Sequence, residues 1–144
     1  MVKIFNLDFY DENLENLKIE LEKDIDENKK VRVYTPNVDH IINIKSNENV
    51  FLKYSKAEYI IADGWPVVAT AKVKKTPIHK ITGVDLMDEL LKLADKKSLN
   101  IFFLGATDYT LKKLKFNIER DFNNINLINY NNGYFSEKES ERIV

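Results

Sequence analysis

The sequence predicts an α/β protein: a mostly parallel sheet with helices on both faces. Two patterns predict it. Short apolar runs rich in β-branched and aromatic residues alternate with stretches whose apolar residues recur at helical spacing. That alternation implies right-handed crossovers between parallel strands. The composition can sustain such a core, with 44% apolar and 11% aromatic residues in a chain of 144, the size of one ordinary domain.

The elements follow in order. "VKIFNLDF" reads as a first strand. Leu14, Leu17, Leu21 and Ile25 mark a helix in a charged background. "VRVYTPN" is a second strand, and the pattern from Val38 to Ala57 is helical, in two pieces broken near Ser46 and Asn47. "EYIIAD" is a third strand, after which Pro66 suits the first turn of a short helix to about Lys74. "PIHKITG" connects to a helix with Met87, Leu90, Leu91 and Ala94 on one face. "NIFFLG" is an apolar strand, Leu111, Leu114, Ile118 and Phe122 mark another helix, and "INLINYNNGYF" is a last strand with a turn. Ser136 and Glu139 form a capping-box signature for a final helix. The sequence stops at Val144 inside that helix, where a doubly wound sheet would continue, so the expectation is a single domain, 1–144, truncated at its C-terminus. The Asn-rich stretch from Asn117 to Asn132 reads as compositional bias.

Composition removes several function classes. There are no cysteines, which excludes disulfides, thiolate zinc sites and cysteine nucleophiles. The 22 basic and 23 acidic residues leave a net charge of -1, so no global field attracts nucleic acid. No apolar run approaches the roughly 18 residues that span a bilayer.

In open α/β sheets, ligands bind beyond the carboxyl ends of the strands. Three such ends carry polar residues, and all are expected on one sheet edge. The first is "TPNVDH", where Thr35 and Asn37 offer a hydroxyl and an amide, Asp39 could cap the next helix, and His40 is structural. Turn chemistry also accounts for Pro and Asn there. The second is Asp63-Gly64: a general base where Gly64 admits a substrate to the backbone, or a cap on the Pro66 helix. The third is Gly105-Ala106-Thr107, a strand–turn–helix suited to a phosphate, with Thr107 equally readable as an N-cap. Asp85 and Asp88 fall in the first turn of a helix, where the macrodipole favours carboxylates. Asp24-Ile25-Asp26 is the one Asp-x-Asp, expected on a solvated helix face. His79 has no partner at metal-ligand spacing. Lys72, Lys74, Lys75 and Lys80 could meet phosphates or anionic lipid.

"TPNVDH", "ADGWPVV", "ITGVDLMDELL", "FFLGA" and "NGYF" occur in this order. The ordered set resembles the WecG/TagA/CpsF family of bacterial glycosyltransferases, closest to its TagA branch. The resemblance implies a Rossmann-like fold and an inverting transfer with no metal ion and no cofactor. The implied donor is UDP-N-acetylmannosamine, and the implied acceptor is N-acetylglucosamine linked through diphosphate to undecaprenol, as in wall teichoic acid synthesis. It implies Asp63 as the base that takes the proton of the acceptor's C4 hydroxyl, with Thr35, Asn37 and Gly64 in the same pocket. Lys80, where many members carry arginine, and Gly105, Ala106 and Thr107 are implied as the donor-phosphate contacts. Lysine neutralises a diphosphate as a point charge, without arginine's fork. Family members continue past this length, with a basic, membrane-targeting tail. The implied setting is cytoplasmic, peripheral on the inner membrane face, as a homo-oligomer. Two rival readings remain from the residues: a non-catalytic nucleotide- or phosphate-binding module, and a magnesium-dependent phosphotransfer enzyme using Asp63 and Asp85. A related member using another UDP-sugar is a third possibility.

Overall fold

A computed structural model describes residues 1–134. The expected final helix at Ser136 and Glu139 lies outside the described residues. The chain divides into two compact units, Met1–Glu89 and Leu90–Val144.

In the first unit the elements run β1 (Val2–Ile4), β2 (Leu7–Phe9), α1 (Leu14–Asp26), β3 (Val33–Tyr34), α2 (Val38–Ser46), α3 (Glu48–Tyr54), β4 (Tyr59–Ile60) and α4 (Trp65–Val73). Helix α5 (Gly83–Lys97) contains the division between the units. The second unit continues with β5 (Asn100–Leu104), α6 (Asp108–Asp121) and β6 (Asn126–Asn131). The α/β class therefore holds, with six helices and two parallel strand pairs, β3–β4 and β5–β6, among the described residues.

The expected first strand is instead an antiparallel hairpin, β1–β2, with Ile4 opposite Leu7. Phe5 and Asn6 form its two-residue turn, with φ of 54° and 63°. Positive φ at both central residues is what a type I′ hairpin turn requires. Asn accepts that backbone readily; Phe does so at a cost of about 1–2 kcal/mol. The hairpin puts Ile4, Leu7 and Phe9 into a core shared with Ile41, Ile44, Ile60, Ala62, Val67, Ala71 and Ile78.

Strand β4 is central to this unit. The N–H groups of Tyr59 and Ile61 donate to the carbonyls of Arg32 and Tyr34 on one side. On the other side the carbonyls of Ile60 and Ala62 accept from Tyr10 and Ile81. Pairing on both edges, with Ile60, Ile61 and Ala62 buried, explains the all-apolar run before Asp63.

Helix α1 starts at Asn13, whose side chain accepts the Asn16 N–H, and buries Leu17 and Leu21. It also buries Asp24, at 8% exposure, against the expectation of a solvated Asp-x-Asp. Asp24 accepts the Tyr59 hydroxyl at 2.7 Å and the Lys29 ammonium at 3.1 Å, which ties α1 to β4. Hydrogen bonds to an ionised acceptor offset the cost of burying the carboxylate. Met87, expected on the inner face of α5, is exposed, and Leu86 is buried in its place.

In the second unit Leu91, Leu93, Ala94, Leu111 and Ile118 are buried. β5 and β6 pair in parallel from Asn100↔Asn126 to Leu104↔Asn131, with an irregularity between Ile101 and Phe102. Although β5 reads as continuously apolar, it alternates, leaving Phe102 and Leu104 exposed.

Candidate active site

Because β3 and β4 are parallel, their carboxyl ends open on one edge. The "TPN" and "ADG" motifs both begin there. Thr35 and Asp63 are half-buried at that edge, and Pro36 beside Thr35 is fully buried. Oδ2 of Asp63 accepts the backbone N–H of Gly83 at 3.3 Å. Gly83 opens α5, so the carboxylate sits at the positive end of that helix. A Cβ on Gly83 would lie 3.4 Å from Thr35 Oγ1 and 3.6 Å from Asp63 Oδ2. A hydroxyl, a carboxylate and a bare glycine thus surround one spot.

The reading of Asp63 as a cap on the Pro66 helix fails. α4 begins after Gly64, with no side-chain cap, and Asp63 is directed to Gly83 instead. Gly64 has φ 115° and ψ 149°, a backbone region open essentially to glycine alone. That conformation turns the chain sharply between Asp63 and the helix.

Asn37 caps α2. Its side chain accepts the His40 N–H at 3.1 Å, and its own N–H donates to His40 Nδ1 at 3.2 Å. The cap expected of Asp39 is therefore made by Asn37, and Asp39 lies in the first turn. Asn37 fixes how the chain leaves Thr35, while His40 has the structural role read for it.

Lys80 pairs in parallel with Ala62, the residue before Asp63. Ile81 follows with its N–H on the Ala62 carbonyl at 3.2 Å. Lys80 is exposed, with no ion-pair partner among the described residues. Thr82 then accepts the Asp85 N–H and donates its hydroxyl to Asp85 Oδ2 at 2.6 Å. Asp85 is thus engaged at the start of α5 and Asp63 holds the Gly83 N–H. Among the described residues, no group of three His, Asp or Glu side chains is placed to hold a metal ion.

The third motif lies in the second unit. Gly105 has φ 114°, Ala106 has φ 67°, and the Gly105 N–H donates to the Asn131 carbonyl at 2.9 Å. Thr107 caps α6, its hydroxyl accepting the Thr110 N–H at 3.3 Å. A Cβ on Gly133 would lie 3.2 Å from the Gly105 Cα, so the "NGYF" glycine packs against the "LGA" glycine.

The Asn-rich stretch has structural work here. Asn131 and Asn132 accept the N–H groups of Gly133 and Tyr134, and the Asn132 amide donates to Asp108 at 3.2 Å. The signal was Asn-Asn-Gly, a turn sequence in which Asn bonds the backbone two residues on.

Thr35, Asp63 and Gly83 therefore meet, Gly64 and Lys80 adjoin them along the chain and the sheet, and Asn37 shapes the neighbouring helix start. A model of the glycosyl transferase WecG/TagA/CpsF family matches residues 2–144, and the chain belongs to that family. It is similar to a Bacillus spizizenii protein named N-acetylglucosaminyldiphosphoundecaprenol N-acetyl-beta-D-mannosaminyltransferase, 31% identical over 137 residues, or 94% of this chain and 53% of that relative. A Staphylococcus aureus protein of the same name is 33% identical over 106 residues, 72% of this chain and 41% of that relative. The chain spans about half the length of the curated relatives it matches.

Proposed function

We propose that this chain is the part of a transferase that receives the acceptor and moves N-acetylmannosamine from UDP-N-acetylmannosamine to the C4 hydroxyl of N-acetylglucosamine on undecaprenyl diphosphate. The observation that carries the reading is the convergence of Thr35, Asp63 and Gly83 at the end of β4. The names of the relatives supply the sugar and the lipid-linked acceptor.

Asp63 takes the proton as the acceptor oxygen forms its bond to the sugar's anomeric carbon. The bond from that carbon to the diphosphate breaks, and UDP leaves with the electron pair. Attack opposite the leaving group inverts the anomeric centre. Thr35 orients the acceptor hydroxyl, and Gly64 keeps the backbone clear beside it. Asn37 holds the wall of the pocket through its cap. Lys80 meets negative charge on the departing diphosphate. A second anion contact is proposed at Gly105–Thr107, where a helix start faces outward from its own unit. The transfer needs no metal ion in this scheme. A Rossmann-like fold and self-association belong to the same proposal.

The test is transfer by a full-length form onto a short-chain diphosphate-linked N-acetylglucosamine, with and without chelator. Transfer unchanged by chelator is expected. Loss of transfer with chelator would overturn the metal-free scheme, and UDP binding with no transfer from any UDP-sugar would favour a binding module.

A further inference from the structure

We infer that Trp65 is a stacking platform for the acceptor's pyranose ring, a substrate contact beside Asp63; the inference rests on the acceptor reading of this edge. Three helices start there. Helix α2 begins at Val38, α4 at Trp65 and α5 at Gly83. Asn37 and Gly64 immediately precede the first two, and Gly83 gives its N–H to Asp63 Oδ2 at 3.3 Å.

At each start the first large side chain is apolar and exposed. Val38 is 42% exposed, Trp65 74% and Val84 71%, whereas Thr35 and Asp63 are half-buried. Exposed apolar residues scattered singly are ordinary. Here Val38, Trp65 and Val84 each follow closely on Thr35, Asp63 or Gly83, the groups that meet at this edge. On α4 the buried residues are Val67 and Ala71, so Trp65 falls on the opposite side of the helix and is not held in the core. Helical Cα–Cβ bonds tilt toward the N-terminus, so a residue at the first helical position leans back over the turn it follows. For Trp65 that is the Asp63–Gly64 turn, where Gly64 has no side chain to intervene.

A pyranose suits this arrangement. In the gluco configuration every ring substituent but the anomeric one stands equatorial, so both faces of the ring carry axial C–H bonds. Those hydrogens are weakly positive, and the face of an indole is broad, apolar and negative. The hydroxyls point outward round the edge of the sugar. A ring lying on Trp65 therefore offers a hydroxyl edge-on to Asp63 and Thr35 while its face leaves water. A manno ring carries an axial C2 substituent that obstructs one face, so the platform suits the acceptor sugar better than the transferred one. A prenyl chain would gain from the same apolar area without any sugar ring, and a sugar-free control separates the two.

Trp65 is the only tryptophan in the sequence, so in the 144-residue chain its emission reports on this spot alone. The chain is titrated with short-chain diphosphate-linked N-acetylglucosamine, and in parallel with the same prenyl diphosphate lacking the sugar. The expected result is a saturable shift in Trp65 emission that needs the sugar. In a full-length form, Trp65→Ala should raise the acceptor KM about tenfold, with kcat and the donor KM nearly unchanged, and Trp65→Phe should recover part of the loss. Because the side chain is exposed, both variants should melt with the parent. An unchanged acceptor KM in Trp65→Ala would overturn the inference. So would an equal emission shift with the sugar-free prenyl diphosphate, which would assign the residue to the lipid. A shift that needs no ligand and tracks dimerisation in sedimentation would overturn it too, assigning the residue to a second copy. A sugar-dependent shift alongside a full-length parent that transfers nothing would support the platform and overturn the transferase reading, so the two fail separately.

Discussion

Asp63 and Gly83 are twenty residues apart, and the carboxylate of one accepts the backbone N–H of the other at 3.3 Å. The contact fastens the end of β4 to the start of α5, and Asp63 Oδ1 has no hydrogen-bond or ion-pair partner among the described residues. A Cβ at Gly83 would meet both side chains at ordinary van der Waals distance. Gly83→Ala should therefore leave thermal unfolding nearly unchanged, since alanine suits a helix start better than glycine. Transfer should fall about tenfold to a hundredfold because the added methyl occupies the spot between Thr35 and Asp63 where the acceptor hydroxyl would sit. Thermal melting and steady-state rates on the same preparation check this.

Gly64 gives the opposite pattern. Its φ of 115° with ψ of 149° disfavours any side chain, though its added Cβ would meet only Pro66 Cδ, at 3.7 Å. Gly64→Ala should cost stability through backbone strain, about 1–3 kcal/mol. Urea unfolding measures the loss.

The Tyr59–Asp24 bond is the buried polar link of the first unit. Asp24→Ala removes the acceptor from a buried hydroxyl and should destabilise by about 1–3 kcal/mol. Tyr59→Phe leaves Asp24 with Lys29 and should cost less. The order of the two variants in urea unfolding is the check.

Acid should loosen the first unit through two carboxylates. The Tyr59 hydroxyl, then Lys29, hold Asp24 below the usual carboxylate range, against the opposing effect of burial. Glu58 is lowered to about 2 by the side chain and backbone N–H of Arg32. Both groups are more acidic folded than unfolded, so the unfolded chain binds more protons and stability rises with pH. The contribution is complete above about pH 4.5 and is lost as pH falls toward about 2. Glu58 is partly exposed, so its share should shrink in salt. Unfolding free energy measured across that window, at two salt concentrations, tests the sign.

Much of this was legible in the sequence. Leu17 and Leu21 gave α1, the break at Ser46–Asn47 separated α2 from α3, and Pro66 opened α4. Other features depended on contacts distant in sequence. "VKIFNLDF" reads as one strand because Phe at positive φ is an unfavourable turn residue, and only the register of Ile4 against Leu7 reveals the hairpin. Asp24 looks solvated beside Lys23 and Asp26 until Tyr59, thirty-five residues away, reaches it. Asp63 reads as a local cap because capping is a short-range rule, whereas its partner is Gly83. The motifs located the strand ends, and the pairing of β3 with β4 brought two of them together.

The base role of Asp63 is the central claim. Its most direct test is single-turnover transfer from UDP-N-acetylmannosamine to the short-chain acceptor, comparing a full-length parent with Asp63→Ala. Loss of a general base should slow the chemical step by about 10²–10⁴-fold, with UDP binding retained. An undiminished single-turnover rate in Asp63→Ala would contradict the account.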